Sequence, residues 1–188
     1  MDIKNQAENY GLIAILLHWL MAILVIVLLV SGVYMVGLGY YDPWYNTAPW
    51  WHKSLGLLVF ILLIIKLYWR LTNIRPAPLK SYKTWEVKIS STLHWSTYVL
   101  LLIICISGYF FTTAKGVDIA FFDYFKVPAM GSLTTSSSEI AGKIHRLISY
   151  LLAILVILHM MAALKHHFYD KDITLKRMLG FKNKESIK

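Results

Sequence analysis

Residues 12–37 read LIAILLHWLMAILVIVLLVSGVYMVG, and the fold turns on this stretch. No charged side chain occurs between Glu8 and Asp42. About 20 apolar residues in helical form cross the hydrocarbon of a bilayer, which is roughly 30 Å thick. A run this long is a membrane helix rather than a core helix. Working outward, three more stretches qualify. Residues 50–71 hold Lys53 and Lys66 near their two ends, where long side chains can snorkel to water. Residues 89–113 lie between Lys88 and Lys115 and carry no charge, and residues 140–164 form the last span. Trp and Tyr gather where the interfaces fall: Tyr40, Tyr41, Trp44, Tyr45, Trp50 and Trp51 on one side, Tyr68 and Trp69 on the other. The expectation is all-α: an integral membrane four-helix bundle forming one domain over residues 1–178. Residues 165–188 follow the last span as a cytoplasmic juxtamembrane tail with a short amphipathic surface helix.

Composition points the same way. Of 188 residues, 57% are hydrophobic and 15% charged, against about 25% charged in a soluble domain. A soluble globular protein and a disordered chain are both excluded on that ground. Met1–Tyr10 is polar and the apolar run behind it is too long for a leader, so no cleavable signal is expected. The single Cys105 excludes an internal disulfide and a cysteine-ligated cluster. Four spans place both termini and the 2–3 connection on one side. That side holds 14 of the 19 Lys and Arg; the other holds Lys53, Lys115, Lys126, Lys143 and Arg146. The positive-inside rule therefore puts both termini in the cytoplasm, in a multi-pass protein. The net charge of +9 expresses topology and attraction to anionic lipid, not nucleic-acid binding. The longest external segment, about Ala114–Glu139, is too short for a bulky soluble domain.

Five of the seven histidines fall inside the spans: His18, His52, His94, His145 and His159. Ionisable groups there are expensive and point to function. Depth sorts them. His18, His94 and His159 lie toward the terminal side, and His52 and His145 at the external ends of their helices. There is also an internal echo. Leu17-His18-Trp19 precedes Ser31-Gly32 as Leu93-His94-Trp95 precedes Ser107-Gly108, with His and Ser thirteen residues apart in both. Two copies of a helix pair would give this pattern, and Lys66 would then match His159.

His145 and His159 are fourteen residues apart, which is about 3.9 helical turns, so they share a face about 21 Å apart along the axis. Two planar cofactors stacked along the bundle need that spacing. Haem iron takes axial His ligands from opposite sides, so each haem needs two facing helices. Depth pairs His52 with His145 externally and His18 with His159 internally. Zinc wants four ligands in a tetrahedron, often with Cys or carboxylate, and the spans hold no Asp or Glu between their flanking charges. Lys53, Lys143 and Arg146 beside the external pair suit haem propionates, with interfacial snorkelling as the plainer reading. Lys115 and Lys126 are positioned to steer an anionic donor, or are simply solvated.

These residues resemble the bacterial di-haem cytochrome b-561 family of inner-membrane electron carriers, over nearly the whole chain. The resemblance rests on Leu17-His18-Trp19, His52-Lys53-Ser54-Leu55-Gly56, Gly142-Lys143-Ile144-His145, and the segment from His159 through Lys165-His166-His167 to Lys171-Asp172, continuing into Thr174–Met178. It implies two haem b groups, ligated by His18 with His159 and by His52 with His145. It further implies electron exchange with ubiquinone on the cytoplasmic side, with His166 as the quinone contact. One branch of the family oxidises superoxide at the periplasmic side. Three functions stay open: an oxidoreductase of the superoxide:quinone type, or with another periplasmic one-electron donor; an electron-conduit subunit of a larger dehydrogenase or hydrogenase; and a haem-free zinc or proton transporter. His94 has no assigned partner beyond backbone or haem surroundings, and a homo-oligomer is left open.

Overall fold

The computed structural model describes residues 2–79 and 81–181. Lys80, Lys182, Lys184 and Lys188, which enter the charge asymmetry, lie outside the described residues. The described chain is mostly helical. Four helices are long and apolar enough to cross a membrane: α1 Leu12–Val36, α2 Thr47–Thr72, α3 Thr84–Thr113 and α4 Thr135–Phe168. They outrun the apolar windows, because the backbone ladder continues into water once begun. Polar side chains start two of them. The Thr134 hydroxyl accepts the Ser137 N–H at 3.3 Å at the head of α4, and Glu86 Oε2 accepts the Lys83 N–H at 2.9 Å at the head of α3.

The helices share one small core, made of Met21, Leu24 and Val25 from α1, Val59 and Leu63 from α2, Leu100 and Leu101 from α3, and Leu152 from α4. It lies midway along the bundle, with Leu152 seven residues from both His145 and His159. The outer faces stay apolar: Val30, Val33 and Leu147 are 65–67% exposed. Water would not tolerate so large an apolar surface, whereas lipid does.

Packing is uneven around the bundle. Backbones approach closely between α1 and α2, between α3 and α4, and less between α2 and α3. Among the described residues α4 is not close-packed on α1 or on α2, leaving a wider seam between the two hairpins.

Each end of the bundle has its own closure. At the end away from the termini, β1 Ile119–Phe121 pairs antiparallel with β2 Phe125–Val127. This hairpin, unforeseen in the sequence, packs on α2. Ser54 is fully buried, donates to the Ala120 carbonyl at 3.2 Å and accepts the Phe122 N–H at 3.2 Å. The turn places Phe122 and Asp123 in the left-handed region (φ +46° and +62°), and Trp50 Nε1 donates to Asp123 Oδ1 at 3.2 Å.

At the opposite end the short helix α5, Thr174–Met178, ties together the N-terminal segment and the α2–α3 connection. Its Arg177 is buried, donates to the Ala77 carbonyl at 3.1 Å and to the Glu8 carbonyl, and lies over the Tyr10 ring at 5.5 Å. Trp19 Nε1 of α1 donates to the Met178 carbonyl at 2.8 Å.

Candidate functional site

The site is best built from α4, which presents His145 and His159 to the wider seam. Across from His145 stands His52 of α2, with ring centres 6.3 Å apart and planes at 74°. Both rings are anchored through Nδ1. His145 Nδ1 lies 2.9 Å from the Ile104 carbonyl oxygen. A carbonyl only accepts, so Nδ1 carries the proton and Nε2 keeps its lone pair. His52 Nδ1 lies 2.9 Å from Ser31 Oγ, whose own proton goes to the Leu28 carbonyl at 3.1 Å. The serine oxygen therefore accepts from His52, and Nε2 is again the free lone pair. Such second bonds orient an imidazole that ligates a metal.

The ring spacing says which metal geometry suits. With metal–nitrogen bonds of about 2.0 Å, two imidazoles on opposite sides of an ion set their ring centres about 6.3 Å apart, and a tetrahedral ion about 5 Å. The observed 6.3 Å matches the opposed arrangement.

Two glycines line the imidazoles at this level, and Gly108 makes room that a side chain would fill. An ideal Cβ on Gly32 would come 3.5 Å from His52 Cε1, and one on Gly108 would come 2.9 Å from His145 Cε1 and Nδ1. The Ser-Gly pairs of the internal echo thus hold equivalent places, each glycine facing the imidazole of the next helix. The halves differ in detail, since Ser107 Oγ bonds the Ile103 carbonyl of its own helix at 2.7 Å. Gly56, by contrast, faces nothing within 4 Å.

At the terminal level His18 of α1 faces His159 with ring centres 6.2 Å apart. His94 of α3 also lies near His159, at 5.6 Å. The two neighbours are not equivalent. His94 stands on α3, which is close-packed on α4, whereas His18 and His159 meet across the seam. His94 Nδ1 is buried without a hydrogen-bond partner among the described residues, so at this atom the backbone bond foreseen for it is not made. Lys66 stands within electrostatic reach of His18 and His159, at the level expected from the internal echo. Arg70 lies over the Trp95 and Tyr98 rings at 5.2 and 5.5 Å.

The remaining candidates divide by position. Lys53 lines a shallow groove at the far end with Tyr45, Asn46 and Pro49. Lys143 and Arg146 are exposed on the first turns of α4. His166 lies at the other end, past the last apolar turn, with its Nδ1 2.8 Å from Asp170 Oδ2 and 3.0 Å from Asp172 Oδ2. Lys165 Nζ also lies 2.8 Å from Asp170 Oδ2, and that hydrogen bond first of all holds the Asp170 carboxyl below its ordinary 3.8. Tyr82 packs against the His166 ring, tilted at 42° with centres 4.9 Å apart, and bonds Thr174; burial pushes its phenol up. Sequence reasoning did not reach Ser31, Ile104, Asp170 or Tyr82 as site residues. The one signal available was the recurrent Ser-Gly pair.

The family profile described as prokaryotic cytochrome b561 matches residues 9–181. This chain belongs to that family. It is 42% identical over 180 residues, 96% of both chains, to cytochrome b561 homolog 2 of Escherichia coli strain K12. It is 25% identical over 174 residues, 92% of this chain and 96% of the relative, to the probable superoxide oxidase CybB of Yersinia pestis. As a cytochrome b561 it is a bacterial membrane protein of electron transfer, and the family implies haem b. The residues fit that group: paired imidazoles spaced to hold an ion between them, Nε2 lone pairs left free at the His52–His145 level, and glycine beside each imidazole there.

Proposed function

We propose that this cytochrome b561 carries two haem b groups and passes electrons from a periplasmic one-electron donor to ubiquinone on the cytoplasmic side of the bacterial inner membrane. The observation that carries the reading is the pair of opposed imidazole couples, 6.3 Å and 6.2 Å between ring centres, at opposite ends of one face of α4. Haem supplies reversible one-electron chemistry; the chain supplies ligands, burial and access.

His52 and His145 hold the periplasmic group and His18 and His159 the cytoplasmic one. Lys53, Lys143 and Arg146 meet the propionates of the first and present positive charge to an arriving anion. The core layer around Leu152 keeps water out between the two levels. At the cytoplasmic boundary His166 touches the quinone carbonyl and exchanges a proton with it.

Reduction of one quinone to quinol consumes two electrons, given singly by two donor molecules, and two protons from water. Superoxide is the favoured donor: it is a small anion, it loses one electron to give dioxygen, and a relative carries that activity in its name. Two superoxide ions, one quinone and two protons then yield two dioxygen molecules and one quinol.

Pyridine haemochrome analysis of the purified chain is the direct check. Two haems per chain are expected, and a value near zero or one would end the di-haem reading. His52→Ala or His145→Ala should remove one group, and His18→Ala or His159→Ala the other. Quinone reduction by the isolated chain with superoxide separates the oxidoreductase from a conduit subunit, which would need its complex.

A further inference from the structure

Helix α4 ends at Phe168, and the chain then doubles back on it. The Asp172 N–H donates to the His166 carbonyl at 3.1 Å, and Lys171 takes the left-handed conformation (φ +54°) that permits the reversal. The turn brings both Asp170 and Asp172 onto one ring nitrogen of His166. Asp172 is the enclosed member, its side chain 9% exposed, with Oδ1 accepting the Thr174 N–H at 2.8 Å and Oδ2 3.0 Å from His166 Nδ1. Asp170 is the outward member, 28% exposed and bridged by Lys165, which also reaches Glu86 Oε1 of α3 at 3.4 Å. The His166 Nδ1 is buried and lies within 3.0 Å of both carboxylates, with neither oxygen in line for a hydrogen bond. Carboxylates only accept, so two of them beside Nδ1 favour the proton there and leave Nε2, the far side of the ring, turned away from both acids. Tyr82 packs beside the ring and is itself held through Thr174, whose N–H Asp172 accepts.

We propose that Asp172 is the positioning residue for proton delivery at the quinone end: it fixes the rotation of His166 and holds a proton on Nδ1 so that Nε2 serves the quinone and is reprotonated from water at the boundary. The proposal rests on His166 being the quinone contact. The cycle balances. Nε2–H passes its proton to the quinone oxygen as an electron arrives, the neutral ring keeps Nδ1–H against Asp172, and water at the cytoplasmic boundary restores Nε2–H before the second transfer. The charged and titratable groups facing His166 are Asp170 and Asp172 from its own turn, Lys165 from α4, Glu86 from α3 and Tyr82 from the α2–α3 connection, with Arg177 of α5 behind Tyr82. Asp172 differs from Asp170 in being the enclosed carboxylate on His166, 9% exposed against 28%.

The test uses the full haem-loaded chain, reduced beforehand and mixed with a short-chain ubiquinone analogue from pH 5.5 to 9. Asp172→Asn keeps the shape and removes the acid. It should leave haem content and KM for the quinone within about two-fold, lower kcat by about ten- to a hundred-fold, and flatten the pH profile. Asp172→Glu should recover part of the rate. Asp172→Asn added to His166→Ala should cost nothing beyond His166→Ala alone, because the acid acts through the imidazole. A wild-type kcat and pH profile in Asp172→Asn would overturn the proposal, as would a loss confined to KM or shared with haem loss. Should that variant fail to fold, 15N spectra of histidine-labelled wild-type protein decide the point: His166 protonated at Nδ1 supports it, and protonation at Nε2 alone sinks it. If His166→Ala itself leaves quinone kinetics unchanged, the quinone-site reading fails first and the Asp172 role falls with it.

Discussion

At Gly108 one methyl group is enough to disturb His145. The added Cβ would sit 2.9 Å from the His145 ring, whose Nδ1 is pinned by Ile104, whereas on Gly32 it would sit at an ordinary 3.5 Å from His52. Gly108→Ala should therefore lower the haem count toward one per chain, and Gly32→Ala should retain both groups; identical spectra in the two variants would refute this. Ser31→Ala removes the acceptor that orients His52 and makes its ring a more basic ligand. It should weaken haem retention about ten-fold and move the periplasmic midpoint potential to more positive values, measurable by redox titration. Asp170 gives a pH handle at the other end. Its carboxyl is held below the usual 3.8, so its ion pair with Lys165 stabilises the turn above that value. That contribution is lost as pH falls through the depressed value, and it shrinks in salt.

Among elements, the β1–β2 hairpin and α5 behave as clamps. Ser54 sits fully buried with both its hydroxyl bonds spent on the backbone of β1 and its turn. Ser54→Ala leaves a buried carbonyl and N–H short of a partner, a cost of about 1–3 kcal/mol, and should lower Tm in detergent while the haem spectra stay unchanged. Arg177 joins three segments distant in sequence through Ala77 and Glu8. Arg177→Ala should free α5 and expose residues 169–181 to protease at least ten-fold faster, and it would also loosen the Thr174–Tyr82 contact beside His166. Equal cleavage of variant and wild type would show that the clamp lies elsewhere.

For the whole molecule, the arrangement predicts transport with a direction. In proteoliposomes, donor supplied outside should reduce quinone with proton uptake from the side bearing the termini, read by a pH dye on each side. Neutralising Lys53, Lys143 and Arg146 together should slow donor oxidation several-fold at low salt, with the gap closing as ionic strength rises. A C-terminal reporter fusion checks the orientation from which this follows: activity of a cytoplasmic-type reporter is expected.

Four apolar runs, an uneven distribution of Lys and Arg, and histidines at two depths were readable without coordinates. Each depends on local composition and helical period alone: a helix in lipid must satisfy its own backbone, and residues fourteen apart return to the same face. Which imidazoles face each other was only partly determined this way. His18 and His94 lie at one depth, and what separates them is that α3 packs closely on α4 while α1 does not. Ser31 beside His52, Ile104 beside His145 and Asp172 folded onto His166 follow from helix rotation and one left-handed residue, Lys171. Such contacts join positions 6 to 41 apart in the chain through the exact placement of whole helices. Packing geometry sets that placement, and a pattern of apolar residues does not encode it.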